Sequence, residues 1–245
     1  MKIINIDTAP SSSSLLAEMI PDVQDRTVVR VVDQTAGRGQ RGNTWEAEAG
    51  RNLTFSMYVE PEGVDARRQF YISQAVSVAI LDVLRRYVPE SETVAVKWPN
   101  DIYVGDQKIC GVLIENSLSG SSIGHSILGI GINVNQREFR SDAPNPVSMI
   151  HFTGRELPLS ELLDEFCTEI DRRLHEISTQ EGMDRIHAIY LENLWRGKGF
   201  YTYATPDGLK FEAEVTGVAP DGILSLRDPF GIDYHFAFKE VHFIL

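Results

Sequence analysis

Cysteine is scarce in this chain: Cys110 and Cys167 are the only two. They are too few and too far apart for a disulfide framework, and neither stands in a C-x-x-C pair, so both are expected as buried packing residues. Positive charge is also in short supply. Lys and Arg number 23 against 35 Asp and Glu, a net charge of −12, which excludes the basic excess with which a non-specific nucleic-acid binder faces phosphates. Local basic sites remain compatible with it. Long hydrophobic runs are missing too. The start "MKIINIDTAPSSSS" has no apolar core of signal-peptide length, and the most apolar helix-like stretch, "AVSVAILDVL", is interrupted by Asp82. A cytoplasmic protein is expected, with no membrane partner. The six histidines show no H-x-x-x-H spacing, which argues against a histidine-built metal site.

What is there is 245 residues of globular composition, enough for one large domain and a small one without covalent staples. A strand "KIINI" leads into "SSSSLLAEMI", where serines before an apolar run can cap a helix. Residues 65–88 place Phe70, Val76, Ala79, Ile80, Val83 and Leu84 near one face at helical spacing. "TVAVKW", "KICGVLIEN" and "HSILGIGINVN" are expected as strands, and "SELLDEFCTEIDRRLHEI" and "MDRIHAIYLENLW" as helices. The last fifty residues change character. Five short strands separated by "TPDG", "APDG" and "DPFG" turns suggest a small barrel, with a boundary near residue 195.

Two segments carry chemistry. In "QTAGRGQRGNTW" (34–45), Gly37, Gly39 and Gly42 have the spacing G-x-G-x-x-G, which marks a dinucleotide-binding turn when a strand precedes it and a helix follows. The strand is there, in "TVVRVVDQ". The helix is not, because Leu53, Phe55, Met57 and Val59 alternate with polar residues at period two. The loop joins strand to strand, and its Arg38 and Arg41 suit phosphate or carboxylate through forked hydrogen bonds. By itself it is equally consistent with a solvated basic turn.

The second segment is "KWPNDIYVGDQKICGVLIE" (97–115). Pro99 biases Trp98 toward an extended conformation, so that Lys97, Asn100 and Asp101 project from a strand end and turn. If Gly105 folds the chain back, Lys97 and Lys108 lie on neighbouring strands with Asp101 on the connection between them. Ammonium groups for an anion and a carboxylate for a metal or a proton would then share one place. An ordinary hairpin with solvated charges is the plain alternative.

"GRGQRGNTW", "KWPNDIYVGDQKICGVLIE" and "GIGINVN", in this order, resemble the biotin protein ligases, and the β-rich end is similar to their small SH3-like C-terminal domain. The resemblance implies an α+β fold: a mixed β-sheet catalytic domain with packed helices, class II synthetase-like, over 1–195, then an SH3-like β-barrel over 196–245. It implies a two-step reaction. Biotin and ATP give biotinyl-adenylate and pyrophosphate, and a lysine of a biotin-acceptor domain, such as a biotin carboxyl carrier protein, then displaces AMP. Lys108, Arg38, Arg41 and Asp101 are the implied catalytic residues, with Lys108 at the reacting centre. The implied biotin pocket is Ser11, Ser12, Gln34, Gly37, Arg38, Lys108, Gly111, Leu113 and Gly129. ATP and the adenylate would meet Arg38, Arg41, Trp45, Lys97, Asn100, Lys108 and Asn133. Mg²⁺ is expected with the triphosphate, with Asn100 and Asp101 as candidate ligands or water-holders, although Asp101 could instead orient the incoming lysine. A homodimer is among the assemblies the resemblance implies.

The chain departs from the family pattern in three places. Gln40 and Asn43 stand where family loops commonly carry arginine, "SSSS" replaces a Ser-Thr-Asn type run, and no winged-helix region precedes the catalytic region. DNA binding is therefore not expected. Two rival readings remain: a lipoate or octanoate protein ligase or transferase of the same architecture, and a non-enzymic biotin-responsive regulatory protein.

Overall fold

The computed structural model describes residues 1–40, 43–140 and 145–244. Seven strands form one mixed sheet: β1 (Lys2–Ala9), β2 (Thr27–Gln34), β3 (Leu53–Val59), β4 (Val94–Lys97), β5 (Asp101–Val104), β6 (Gln107–Ser119) and β7 (Ser122–Ile132), in the order β1-β2-β3-β7-β6-β5-β4. β1 and β2 run parallel, and every other adjacent pair is antiparallel. The parallel pair is joined through helix α1 (Ser12–Glu18), the crossover such a connection needs. Its cap is the expected one: the Ser11 hydroxyl accepts from the Ser14 amide at 3.4 Å.

Alternation along the strands gives the sheet two unlike faces. Leu53, Phe55, Met57, Val96, Ile102, Val112, Leu128, Ile130 and Ile132 point to one side, where α2 (Phe70–Leu84), α4 (Leu159–Glu176) and α5 (Gln180–Glu192) cover them. The short helix α3 (Ile150–Thr153) precedes α4. The other face carries a smaller cluster in which Leu16 of α1 packs on Val29, Val31 and Ile127. α2 is buried along nearly its whole length, as a helix enclosed by a sheet and two helices must be.

Helix ends differ from expectation by about a turn, for local reasons. The span expected from residue 65 opens as a 3-10 turn, Ala66–Arg68, because the Asp65 side chain caps it through the Arg67 amide. α5 begins earlier than expected because Thr179 caps it through the Gly182 amide. "HSILGIGINVN" stops pairing at Ile132, where the chain leaves the β3 edge and the Asn133 amide turns to the Ile109 carbonyl.

The end of the chain forms a second sheet, antiparallel throughout: β8 (Tyr201–Ala204), β9 (Lys210–Val218), β10 (Leu224–Arg227), β11 (Asp233–Phe236) and β12 (His242–Phe243), in the order β11-β10-β9-β8-β12. Five short antiparallel strands fit the expected SH3-like unit. Its inner residues Tyr203, Ala213, Leu224 and Leu226 belong to the same apolar cluster as α2 and the large sheet. Among the described residues no helix is long and apolar enough to cross a membrane.

Candidate active site

A cavity of about 990 Å³ opens on the face of the large sheet away from α2, bounded by the N-terminus of α1, the glycine-rich loop, strands β4 to β7 and the last turn of the small sheet. That volume holds two small molecules of moderate size. Its floor is the set of residues that alternation leaves on this face: Gly111 and Leu113 of β6, and Gly129 and Gly131 of β7.

One end is polar and buried. Ser11, Ser12 and Ser13 are each less than 5% exposed. The Ser12 hydroxyl lies 2.9 Å from that of Ser56, Ser11 and Ser13 share a 2.9 Å hydrogen bond, and the Ser12 amide donates to the Gln34 side-chain oxygen at 2.7 Å. Gly129 lies alongside, where an added Cβ would stand 3.6 Å from the Ser13 Cβ. The segments predicted to hold biotin, from α1, β2, β6 and β7, are thus brought together.

The middle is built on glycine. The Trp45 indole lies on Gly111 and Gly131, so a Cβ on Gly111 would come within 2.9 Å of the ring and one on Gly131 within 2.4 Å. Gly37 leaves room for the Trp45 carbonyl, 2.5 Å from where its Cβ would be. Next to the indole, Lys108 Nζ sits 5.7 Å from the ring centroid and donates to Asp101 Oδ2 at 2.7 Å. A bulge places this lysine. Tyr103 pairs with Lys108 and Ile102 with Cys110, so Ile109 is an extra residue in β6. Ile109 and Cys110 both face the helices, and Lys108 is turned onto the cavity side with Asp101, as bulges re-aim side chains beside functional sites. The flanking chain fixes its backbone: the Lys108 amide donates to Asn145 O and the Val147 amide to Lys108 O, both at 2.9 Å.

Lys97 and Lys108 are not on neighbouring strands, as the hairpin expectation had it. β5 runs between β4 and β6, and Asp101 faces Lys97 across the β4–β5 pair. Lys97 enters a box of rings, with Nζ 5.0, 5.7 and 5.8 Å from the centroids of Tyr103, Trp195 and Phe243, and donates to the Tyr103 hydroxyl at 3.0 Å. Burial pulls its ammonium below the ordinary lysine range, against the opposing pull of Asp101.

Arg38 lines the cavity but is turned outward, donating to Glu115 at 2.6 Å and to the Ser14 hydroxyl at 3.3 Å. It does not reach Lys108 in this arrangement. Arg41 lies outside the described residues, as does Gly42. The Trp98–Pro99 bond is cis, within the turn that joins β4 to β5, and the Trp98 indole donates to Gly222 O at 3.0 Å. Asn100 is buried with both ends of its amide engaged: Nδ2 donates to Val112 O at 3.0 Å, and Oδ1 accepts from Gln40 Nε2 at 3.0 Å. It therefore braces the loop at Gln40, with one lone pair of its side-chain oxygen already engaged. Asp101, the carboxylate of the expected pair, has one oxygen engaged by Lys108. No cluster of three or more metal-ligating side chains exists among the described residues.

Three buried polar atoms lining the cavity have no protein partner: Trp45 Nε1, Gln40 Oε1 and Asn133 Oδ1. Such atoms are costly unless a ligand or water completes them. Trp45 and Asn133 were expected here; Gln40 and Gly131 were not among the expected site residues. The "GIGINVN" run offered a signal for Gly131, since residues 129 and 131 share a strand face. Phe238, Lys239, His242 and Phe243 also line the cavity. Nothing in the local sequence marks them, because they arrive from the other end of the chain.

A family model described as the biotin/lipoate A/B protein ligase family matches residues 8–133. A biotin--[acetyl-CoA-carboxylase] ligase of Paracoccus denitrificans is 27% identical over 229 residues, covering 90% of this chain and 92% of that one. The bifunctional ligase/repressor BirA of Salmonella typhimurium is 32% identical over 135 residues, 55% of this chain and 41% of that protein. In fold, the chain is similar to a biotin protein ligase from Aquifex aeolicus solved in complex with biotin and ATP, with a TM-score of 0.79 at 22% identity, covering 98% of this chain and 97% of the other.

Proposed function

Because this chain belongs to the biotin/lipoate A/B protein ligase family, we propose that it is an ATP-dependent biotin ligase, activating biotin as biotinyl-adenylate and passing it to a lysine of a biotin-acceptor domain. The choice of acid rests on one observation, the cluster of buried Ser11, Ser12 and Ser13 with half-buried Gln34 at the end of the cavity, backed by buried Ser56. A ureido ring offers two N–H donors and a carbonyl acceptor to such a cluster. The dithiolane of lipoate and the alkyl tail of octanoate offer none, and would cover these polar groups, now bonded to one another, without adding a hydrogen bond to them.

With the ring at the serine end, the valeryl chain runs over Leu113 and Gly111 toward Lys108. The biotin carboxylate attacks the α-phosphorus of ATP and pyrophosphate departs. Lys108 stands where the two anions meet, so its ammonium neutralises the carboxylate and stabilises charge on the five-coordinate phosphorus. In the second step the acceptor's lysine amine attacks the mixed anhydride, its proton is lost, and AMP leaves. Asp101, 2.7 Å from Lys108, holds Lys108 in place and is the carboxylate nearest the incoming amine. Trp45 and Asn133, each with an unsatisfied buried atom, would close on the adenylate, and Lys97 on the departing phosphates. Arg38 would swing from Glu115 to the acid, with Arg41 beside it. Mg²⁺ would be carried by the triphosphate, with Asp101 and Asn100 as the candidate residues to hold it or its water, and would supply charge neutralisation there. The division into a catalytic unit, 1–195, and a C-terminal unit, 196–245, belongs to this reading, as do a cytosolic location and a biotin carboxyl carrier protein as partner.

The test is pyrophosphate exchange into labelled ATP with biotin, lipoate or octanoate as the acid. Exchange driven by biotin alone is expected. Exchange driven by lipoate or octanoate instead would move the chain to the other branch of its family.

A further inference from the structure

The glycine-rich loop is short of two expected cations, because residue 40 is a glutamine and residue 43 an asparagine. Arg51 and Lys97 are nearby candidates to make up the charge, yet Arg51 is paired with Glu156 at 2.7 Å and Lys97 is held in its aromatic box. Among the described residues, a cation that does contact Gln40 comes from the far end of the chain. Lys239 Nζ donates to the Gln40 carbonyl at 3.4 Å, across 199 residues of sequence.

The turn that carries Lys239 is constructed to deliver it. Ala237 and Glu240 close the turn through the Glu240 amide to Ala237 O at 3.0 Å, and the Glu240 side chain accepts from the Ala237 amide at 2.8 Å. Lys239 holds φ at +71° in this turn, a left-handed conformation that glycine adopts freely and a lysine adopts at a cost. A residue kept there against its preference commonly has a function. The turn is anchored on the β4–β5 turn, since Phe238 packs edge-on against Trp98 with centroids 6.0 Å apart and the Trp98 indole donates to Gly222 O. Lys239 lines the same cavity as Lys97 and Lys108. In a chain of net charge −12, three ammonium groups around one space form a local field suited to a polyanion.

We infer that Lys239 is a nucleotide-binding residue, its ammonium contacting the polyphosphate of ATP while it holds the loop at Gln40. The small sheet thereby completes the active site and supplies one of the charges that the loop lacks. This rests on the ligase reading above, in which ATP is the co-substrate.

Three variants test it: Lys239→Gln, Lys239→Arg and Lys239→Gly. The glycine variant removes the ammonium while relieving the left-handed backbone, so it should melt no lower than the parent. Nucleotide affinity is measured by equilibrium dialysis of α,β-methylene-ATP, which cannot lose pyrophosphate, with biotin present, and biotin affinity by the same method without nucleotide. Lys239→Gln and Lys239→Gly should weaken ATP binding about tenfold or more, the scale of one lost charge-assisted contact. Lys239→Arg should stay within about threefold of the parent, biotin affinity should be unchanged in all three, and the loss should shrink as salt is raised. Parent-like ATP affinity in the glycine and glutamine variants overturns the inference while leaving the ligase reading intact. So does an equal loss for biotin, which would show a general loosening of the site. A parent chain that binds no ATP overturns the ligase reading and this inference with it.

Discussion

At the scale of single residues, the site depends on two positions of opposite kind. Lys108 is the cation nearest the reacting anions, and a preorganised donor of this kind is worth roughly 3–4 kcal/mol in the transition state. Lys108→Ala should therefore slow adenylate formation about a hundredfold to a thousandfold. Its partner Asp101 is partly exposed, with 30% of its side chain accessible, so the loss of the pair should hardly touch folding. Formation of biotinyl-adenylate at the parent rate would remove Lys108 from the reacting centre. Gly131 acts through what it lacks. A methyl group there would stand 2.4 Å from Trp45 Cε2, an overlap of the size that costs about 1–3 kcal/mol when a packed site must absorb it. Expelling the indole is the least costly response. Gly131→Ala should keep its melting temperature within a few degrees, shift tryptophan emission to the red, and bind nucleotide about tenfold less tightly. An unchanged emission spectrum with parent affinity would show that the indole does not rest on this glycine.

At the scale of elements, α2 and α5 meet through a polar contact inside an apolar interface. Gln74 of α2 is fully buried, and its side chain lies 3.0 Å from His187 Nδ1 on α5, whose ring also meets Tyr71 edge-on. Burial lowers the His187 pKa from its ordinary 6.5, only partly countered by Asp184. The unfolded chain thus takes up this proton at higher pH than the folded one. Stability from this group is present above the unfolded value and is lost as pH falls through the folded one. His187→Gln keeps a hydrogen-bonding partner for Gln74 and removes the titration. Its melting temperature should fall less than the parent's between about pH 7 and about pH 5. Parallel falls in the two proteins would mean that acid sensitivity lies elsewhere, for instance in the carboxylate and guanidinium cluster of Asp82, Glu169, Arg172 and Arg173.

At the scale of the whole molecule, charge decides what the surface can meet. Many arginines are already matched: Arg26 with Asp171, Arg38 with Glu115, Arg51 with Glu156, Arg173 with Asp82 and Arg227 with Asp233. With a net charge of −12, little is left to neutralise a run of DNA phosphates. No mobility shift of duplex DNA is expected at roughly 0.15 M salt, with or without biotin and ATP. A biotin-dependent shift would revive the regulatory reading. Three of the six lysines, Lys97, Lys108 and Lys239, line the cavity, a local concentration of positive charge in a chain of net charge −12.

Much of this architecture could be read along the chain, because its signals are local. Period-two alternation marked β3 and showed that the glycine-rich loop joins two strands, turn residues spaced the five strands of the small sheet, and the serines announced the cap of α1. The chemical segments were legible too, since "GRGQRG" and "KWPND" each pack several functional groups into a few residues. What only the tertiary structure decided involves contacts between distant segments. The extra residue Ile109 that turns Lys108 to the cavity shows itself only in the pairing of β5 with β6, and a six-residue reading of "KICGVL" cannot reveal which residue is unpaired. The engagement of Asn100 by Gln40 depends on the loop folding down over β6. Lys239 meets Gln40 because Trp98, Gly222 and the shared apolar core fix the small sheet against the large one. Backbone preference and hydrophobic period act over a few residues and so are written in the sequence; the meeting of side chains 199 positions apart is set by how two sheets pack, and no local pattern encodes it.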